Sequence, residues 1–241
     1  MKKEISKIIE FIQDIYTEQS WAKYAVIGIS GGKDSTVVAS LCANALGKDR
    51  VLGVIMPNKK MTDQDDALRV CKEIGIKHIV IDIGNSVSEL VNSLEIGLKG
   101  INTALNHQGL INISPRIRMS TLYALANSIS GLVANTSNAS EALVGYCTKW
   151  GVNVGDFAPI VHLTKEEVVS VGLELGISPE LILKAPSDGI SGLSDEDNMG
   201  IKYSEIYDYL KGNHLTQETQ DAINQRIIKN KHKSDPIPSL K

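Results

Sequence analysis

The sequence predicts an α/β fold: a Rossmann-like, open, mostly parallel sheet with helices on both faces, in a single domain over 1–241. Three observations predict it. Short apolar, β-branched runs alternate along the chain with segments of helical periodicity. Glycines close several of those helical segments. The first apolar run breaks into a glycine-rich turn that opens a helix, which puts the turn at the carboxyl edge of the sheet, where open α/β sheets bind ligands. No internal repeat, low-complexity segment or linker divides the chain.

The elements follow in order. Ile5, Ile8, Ile9, Ile12, Ile15 and Tyr16 keep helical spacing and predict an amphipathic helix over 3–19. Ala25-Val26-Ile27-Gly28-Ile29 reads as a buried parallel strand. In Ser30-Gly31-Gly32 the backbone can take positive φ and come close to a ligand. Asp34-Ser35-Thr36 opens a helix that runs from Val37 to Leu46 and ends at Gly47. A second strand spans Val51 to Met56, closed by Pro57. Thr62 is placed to cap a helix through Ala67, Val70, Cys71 and Ile74 to Gly75. A third strand is expected over His78 to Ile83. Residues 86–107 are helical in part, interrupted by Gly97 and Gly100, with Gly109 just beyond. Ser114-Pro115 starts a longer helix through Asn127, and a fourth strand covers Gly131 to Ala134. Glu141 to Lys149 reads as helical. Thr164 and Glu167 form a capping box that opens a helix to Gly176. Pro186 to Gly200 is a polar loop of about fifteen residues, a length that usually serves a function. Tyr203–Leu210 and Thr216–Lys231 read as helices, and the tail carries Pro236 and Pro238.

Bulk properties exclude several classes. A chain of 241 residues can bury a substantial core, and 42% hydrophobic with 22% charged residues is globular composition. A net charge of −3 gives no electrostatic case for a nucleic-acid partner. No apolar run approaches the ~18 residues of a membrane span, and no signal-peptide core follows Met1-Lys2-Lys3-Glu4. Cys42, Cys71 and Cys147 sit in apolar periodic segments without metal or redox spacing. They are expected to be reduced core residues of a cytoplasmic protein.

Strand, glycine loop and helix N-terminus together make a phosphate-binding arrangement. It is not a Walker A loop, because Lys33 is followed by Asp34 and the glycine spacing differs. Ser30-Gly31-Gly32-Lys33-Asp34-Ser35 resembles the loop of the PP-loop ATP pyrophosphatases, which split ATP into AMP and pyrophosphate to activate a carbonyl oxygen. Later stretches narrow the resemblance. They are Asn112-Ile113-Ser114-Pro115-Arg116-Ile117-Arg118, Asn135-Thr136-Ser137-Asn138-Ala139-Ser140-Glu141, and Gly145 to Lys149. Asp156 to Ile160, Leu163-Thr164-Lys165, Pro186-Ser187, Asp195-Glu196 and His232-Lys233 complete the ordered set. Over residues 5–238 it resembles the ammonia-dependent NAD synthetase family.

The resemblance implies a reaction. The nicotinate carboxylate of deamido-NAD attacks the α-phosphorus of ATP, pyrophosphate leaves, and ammonia displaces AMP to give NAD. A helix N-terminus offers ~0.3–2 kcal/mol per anionic contact. That is too little for several phosphate charges gathered in a dry site, so metal and lysines must contribute. By resemblance, Asp34 and Glu141 bind Mg²⁺, and Asp34 and Lys165 are the catalytic residues. Gly28, Ile29, Ser30, Gly31, Gly32, Lys33, Asp34 and Ser35 cradle ATP. Thr136, Lys165 and Ser187 add further ATP contacts. Arg116, Lys149, Asp156, His232 and Lys233 match the deamido-NAD contacts, and the family forms homodimers. The stretch 186–200 resembles its mobile active-site loop.

Plainer roles exist for several of these residues. Asp34 at a helix start also suits a cap, and Glu141 with Lys149 suits a solvated helix face. Lys165 lies in the first turn of a capped helix, and His232-Lys233 in a basic tail. Arg116 and Arg118 point in different directions, and Arg116 is the one expected to bind. The chain departs from the family pattern at Val152, where an acid is common, at Asn135 in place of glycine, at Asp188, and in a shortened Ile190–Ser194. Two other readings remain. A tRNA-modifying PP-loop enzyme would want a basic surface and paired cysteines. A non-catalytic nucleotide sensor would have lost the carboxylates. A glutamine-dependent synthetase would need a glutaminase domain, for which the length leaves no residues.

Overall fold

A computed structural model describes residues 1–59, 64–184 and 194–240. The first helix, α1 (Lys2–Glu18), buries Ile5, Ile8, Ile12 and Tyr16 on one stripe, as its spacing predicts. β1 (Tyr24–Gly28) then runs through the glycine loop into α2 (Lys33–Leu46). β2 (Val51–Ile55), α3 (Gln64–Ile74) and β3 (Lys77–Val80) follow. α4 (Gly84–Lys99), α5 (His107–Ile111) and α6 (Ile113–Ile129) lead to β4 (Gly131–Val133). Then come α7 (Ala139–Val144), α8 (Lys165–Glu174) and α9 (Pro179–Ile182). α10 (Asp195–Met199), α11 (Tyr203–Lys211) and α12 (Gln217–Asn230) close the described chain.

Strand order is β3-β2-β1-β4, and every pair is parallel. β1 therefore has β2 on one side and β4 on the other, so the chain reverses direction across the sheet at β1. That switch point opens a crevice at the carboxyl end of β1, where the glycine loop begins. Alternation along the strands sorts the core into two faces. Ala25 and Ile27 pack with Ile12, Leu41, Val70 and Val171, drawn from α1, α2, α3 and α8. Val26 packs with Val54 and Val133 against Val87 of α4 and Ala126 of α6. A third cluster, Val144, Met199, Tyr203, Ile206 and Ile223, ties α10, α11 and α12 to α7. Each buried aliphatic side chain is worth ~1.5–3 kcal/mol, against ~0–1 for a surface ion pair. Apolar burial on both faces therefore holds the sheet that carries the loop.

Four expectations need correction. Glu141 to Lys149 is not one helix: α7 stops at Gly145, whose φ of +61° ends it in the left-handed region. A Cβ at Gly145 would also run into Asn230. Glu141 and Lys149 thus share no helix face. The polar loop Pro186–Gly200 contains α10 at its end. There Ser194 and Asp197 cap each other's backbone, three acids sit in the first turn, and Gly200 at φ +66° stops the helix. The rest of that loop, including Ser187, Asp188 and 190–193, lies outside the described residues, as does the Thr62 cap. The third strand ends at Val80 rather than Ile83, although Ile81 and Ile83 still donate to Ile55 and Pro57 at 2.9 Å each. Finally, Cys42 and Cys71 are buried and free, but Cys147 is only half-buried.

Candidate active site

The glycine loop is shaped by its own serines. Gly31 sits at φ +82°, a region that a side chain would strain. Ser35 Oγ accepts from Ser30 N at 3.3 Å and donates to Gly32 O at 3.0 Å, while Thr36 Oγ1 donates to the same carbonyl at 2.8 Å. Gly32 N-caps α2 and no side chain caps it. Asp34 is therefore in the first turn and not the cap. A helix N-terminus without a side-chain cap suits a phosphate.

The capping box of Thr164 and Glu167 forms as expected and starts α8 at Lys165. That start aims a lysine, 8% exposed in its side chain, at two carboxylates from elsewhere in the chain. Lys165 Nζ lies 2.6 Å from Asp34 Oδ2 and 2.9 Å from Glu141 Oε1. Burial pushes the Glu141 carboxyl up, and Lys165 only partly offsets this. Burial alone would lower Lys165, but Asp34 and Glu141 together hold it well above the ordinary lysine value. Burial and the charge of Lys165 push Lys33 down. The Tyr203 ring lies 5.1 Å from the Lys165 ammonium, and its hydroxyl donates to Asp195 at 3.1 Å.

These groups open onto one cleft of about 1420 Å³. The residues of the loop from Gly28 to Asp34 line it, with Thr136, Glu141 and Lys165. Ser35 is buried beneath them and braces the loop. Arg116, Lys149, His232 and Lys233 line the far side. They hold one another's backbone: Arg116 Nε donates to Lys149 O at 3.3 Å, and Lys149 Nζ to His232 O at 2.5 Å. Lys233 Nζ donates to the carbonyls of Gly145 and Cys147, at 2.8 and 2.9 Å. Asp156 is not in the lining; its Oδ2 accepts from the N–H of Val133, the last residue of β4, at 2.7 Å.

Four side chains to which the sequence reading assigned no role in the site also meet here. Arg118 lines the cleft beside Arg116, with its Nε on Met56 O at 3.1 Å. Tyr203 reaches the lysine from α11, and Asp195 of α10 accepts from its hydroxyl. Asn138, fully buried, donates to Asp34 Oδ1 at 3.1 Å. Only Asn138 left a local signal, an N-cap residue three positions before Glu141.

The fold and this cleft define an α/β nucleotide-handling protein of the PP-loop class. A family model described as NAD synthase matches residues 4–237, and the chain belongs to that family. Over 209 residues it is 43% identical to the NH3-dependent NAD+ synthetase of Thermococcus sibiricus, covering 86% of this chain and 79% of that one. Two solved structures resemble it along almost their whole length. NMN synthetase from Francisella tularensis has a TM-score of 0.88 at 32% identity, covering 99% of this chain and 98% of the other. NH3-dependent NAD synthetase from Campylobacter jejuni, solved with a nitrate ion, has a TM-score of 0.80 at 31% identity, covering 100% and 98%.

Proposed function

We propose that this chain uses ATP to join ammonia to the nicotinate carboxylate of deamido-NAD, giving NAD, AMP and pyrophosphate. The observation that carries the proposal is the cluster of Asp34, Lys165 and Glu141 beside the glycine loop. In the proposed reaction a carboxylate oxygen attacks the α-phosphorus while the bond to the β-phosphate bridge breaks, and pyrophosphate departs. Ammonia then adds to the activated carbonyl carbon. The bond from that carbon to AMP breaks, and the nitrogen sheds a proton. Gly28 to Ser35 hold the triphosphate, and Lys165 meets the charge that builds on the α-phosphate. Thr136 and Ser187 are the further ATP contacts, and Arg116, Lys149, His232 and Lys233, which line the cleft, hold deamido-NAD. Ammonia carries its own lone pair, so the second step calls for no general base.

Mg²⁺ suits the donor set: Asp34 and Glu141 turn hard carboxylate oxygens toward one point, beside the Lys165 ammonium, and would hold the ion there. When bound, Mg²⁺ draws charge from the phosphate oxygens and eases the departure of pyrophosphate. We further propose one catalytic domain acting as a homodimer in the cytoplasm. α4 supports the dimer, because its outer face stays apolar: Leu90, Leu94 and Ile96 are 39%, 36% and 71% exposed. Free thiols support the reducing compartment. Among the described residues no helix is long and apolar enough to cross a membrane.

A second reading concerns only the acceptor. The TM-score of 0.88 to the NMN synthetase of Francisella tularensis favours the deamidated mononucleotide in place of the dinucleotide. One experiment decides. The chain is incubated with ATP, Mg²⁺, ammonium and either acceptor, and AMP and amide are assayed. A higher kcat/KM for deamido-NAD is the expected result, and a higher value for the mononucleotide selects the second reading. AMP formation with neither acceptor would defeat both.

A further inference from the structure

Asp34 and Glu141 belong to different helices, and Asn138 lies 104 positions from Asp34. Neither helix alone sets how the two carboxylates face each other. One buried side chain touches both arrangements. Asn138 Oδ1 accepts from the backbone N–H of Glu141 at 3.1 Å, which caps α7 and starts the turn that carries Glu141. Asn138 Nδ2 donates to Asp34 Oδ1 at 3.1 Å. The amide's orientation is unambiguous, because the end that meets a backbone N–H must be the oxygen. Asp34 is then held at both oxygens, Oδ1 by Asn138 and Oδ2 by Lys165, so its plane is fixed. The same turn of α7 is tied to α8, since Lys165 N donates to Ser140 Oγ at 3.2 Å. Asn138 and Ser140 are both fully buried, so water does not compete for these bonds.

We propose that Asn138 is a positioning residue for the proposed reaction: its amide sets the Asp34 carboxylate against Glu141, so that the pair presents itself to one divalent cation. This rests on the adenylation reading above and deepens it. A residue that merely caps α7 is replaceable by another good cap. A residue that orients Asp34 is not.

Asn138→Ser separates these roles, because serine caps a helix as well as asparagine does but lacks the amide that reaches Asp34. The readout is Mn²⁺ affinity by electron paramagnetic resonance, with an α,β-methylene ATP analogue present. Asn138→Ser is expected to unfold cooperatively near the wild-type temperature and to bind Mn²⁺ about 10–100-fold more weakly. Half-saturating Mg²⁺ for AMP formation should rise in step, with the KM for deamido-NAD unchanged. In an Asp34→Asn background the same substitution should cost nothing further, because the amide acts through Asp34. Unchanged Mn²⁺ affinity in Asn138→Ser, or an equal loss in both backgrounds, overturns the proposal. If the serine variant does not fold, Asn138→Thr, which also caps, carries the same test. A wild-type chain that makes no AMP would overturn the reaction itself, while the Mn²⁺ measurement would still judge Asn138.

Discussion

Lys165 stands between two carboxylates and carries one charge, so it cannot neutralise both. Asp34→Asn removes one of the two carboxylates of the proposed cation position while keeping the side chain's shape. That variant should fold as wild type and form AMP at least about a hundredfold more slowly. Full activity would remove Asp34 from the mechanism. Asn135, where the family pattern has glycine, has found work of its own. Its Nδ2 donates to the carbonyls of Val152 and Val154 at 3.3 and 3.1 Å, and its Oδ1 accepts from Ser137 N at 2.8 Å. Two departures from the pattern, at 135 and 152, are thus joined by one hydrogen bond. The thiols give a second test. Burial pushes Cys42 up to about 12 and Cys71 up to about 11, whereas Cys147 is half-buried and lines the cleft. A thiol reagent at neutral pH should modify Cys147 first, and an ATP analogue with deamido-NAD should slow it. Equal labelling of all three thiols in the native protein would contradict the packing around Cys42. At this scale the loop residues were legible, because Ser30 to Ser35 are contiguous. The convergence of Asp34, Glu141 and Lys165 was legible only through resemblance, since no local pattern relates positions so far apart.

Elements were legible where their boundaries are made locally. The stripe of α1 and the capping box of α8 each lie within a few residues, and both formed as read. The end of α7 was not legible, because distant residues help to make it. Gly145 turns left-handed against Asn230, whose Nδ2 donates to Val144 O at 2.9 Å, and Lys233 takes the next carbonyl. A cation at the last carbonyls of a helix is favourable, but here it arrives from 88 residues on. Gly145→Ala should therefore cost about 1–3 kcal/mol, read as a lower unfolding temperature. It should also raise the KM for deamido-NAD more than that for ATP, because Lys149 and His232 share this corner of the cleft. An unchanged unfolding temperature with both KM values intact would mean that the corner has slack. The strand ends slipped for a similar reason: among the described residues β3 pairs only with β2, so β2's length, and not the apolar run to Ile83, decides where its ladder stops.

For the whole molecule, the architecture read from alternation and the glycine loop is the one observed, a parallel sheet covered on both faces. What the pattern could not show is the outer apolar face of α4, because helical periodicity does not say which neighbour covers it. Leu94→Glu at the proposed dimer face should convert a species of about twice the chain mass into a monomer in sedimentation equilibrium. A wild-type chain that is monomeric and active would defeat the homodimer. Assembly of the cleft also has an order in time. The glycine loop is made before its partners at 138 and 165, and such long-range closure is the slow part of folding. In refolding, the far-UV signal of helices and sheet should return before nucleotide binding does; simultaneous recovery would contradict this. A nascent chain thus carries its glycine loop before it has the side chains that complete the proposed ATP site.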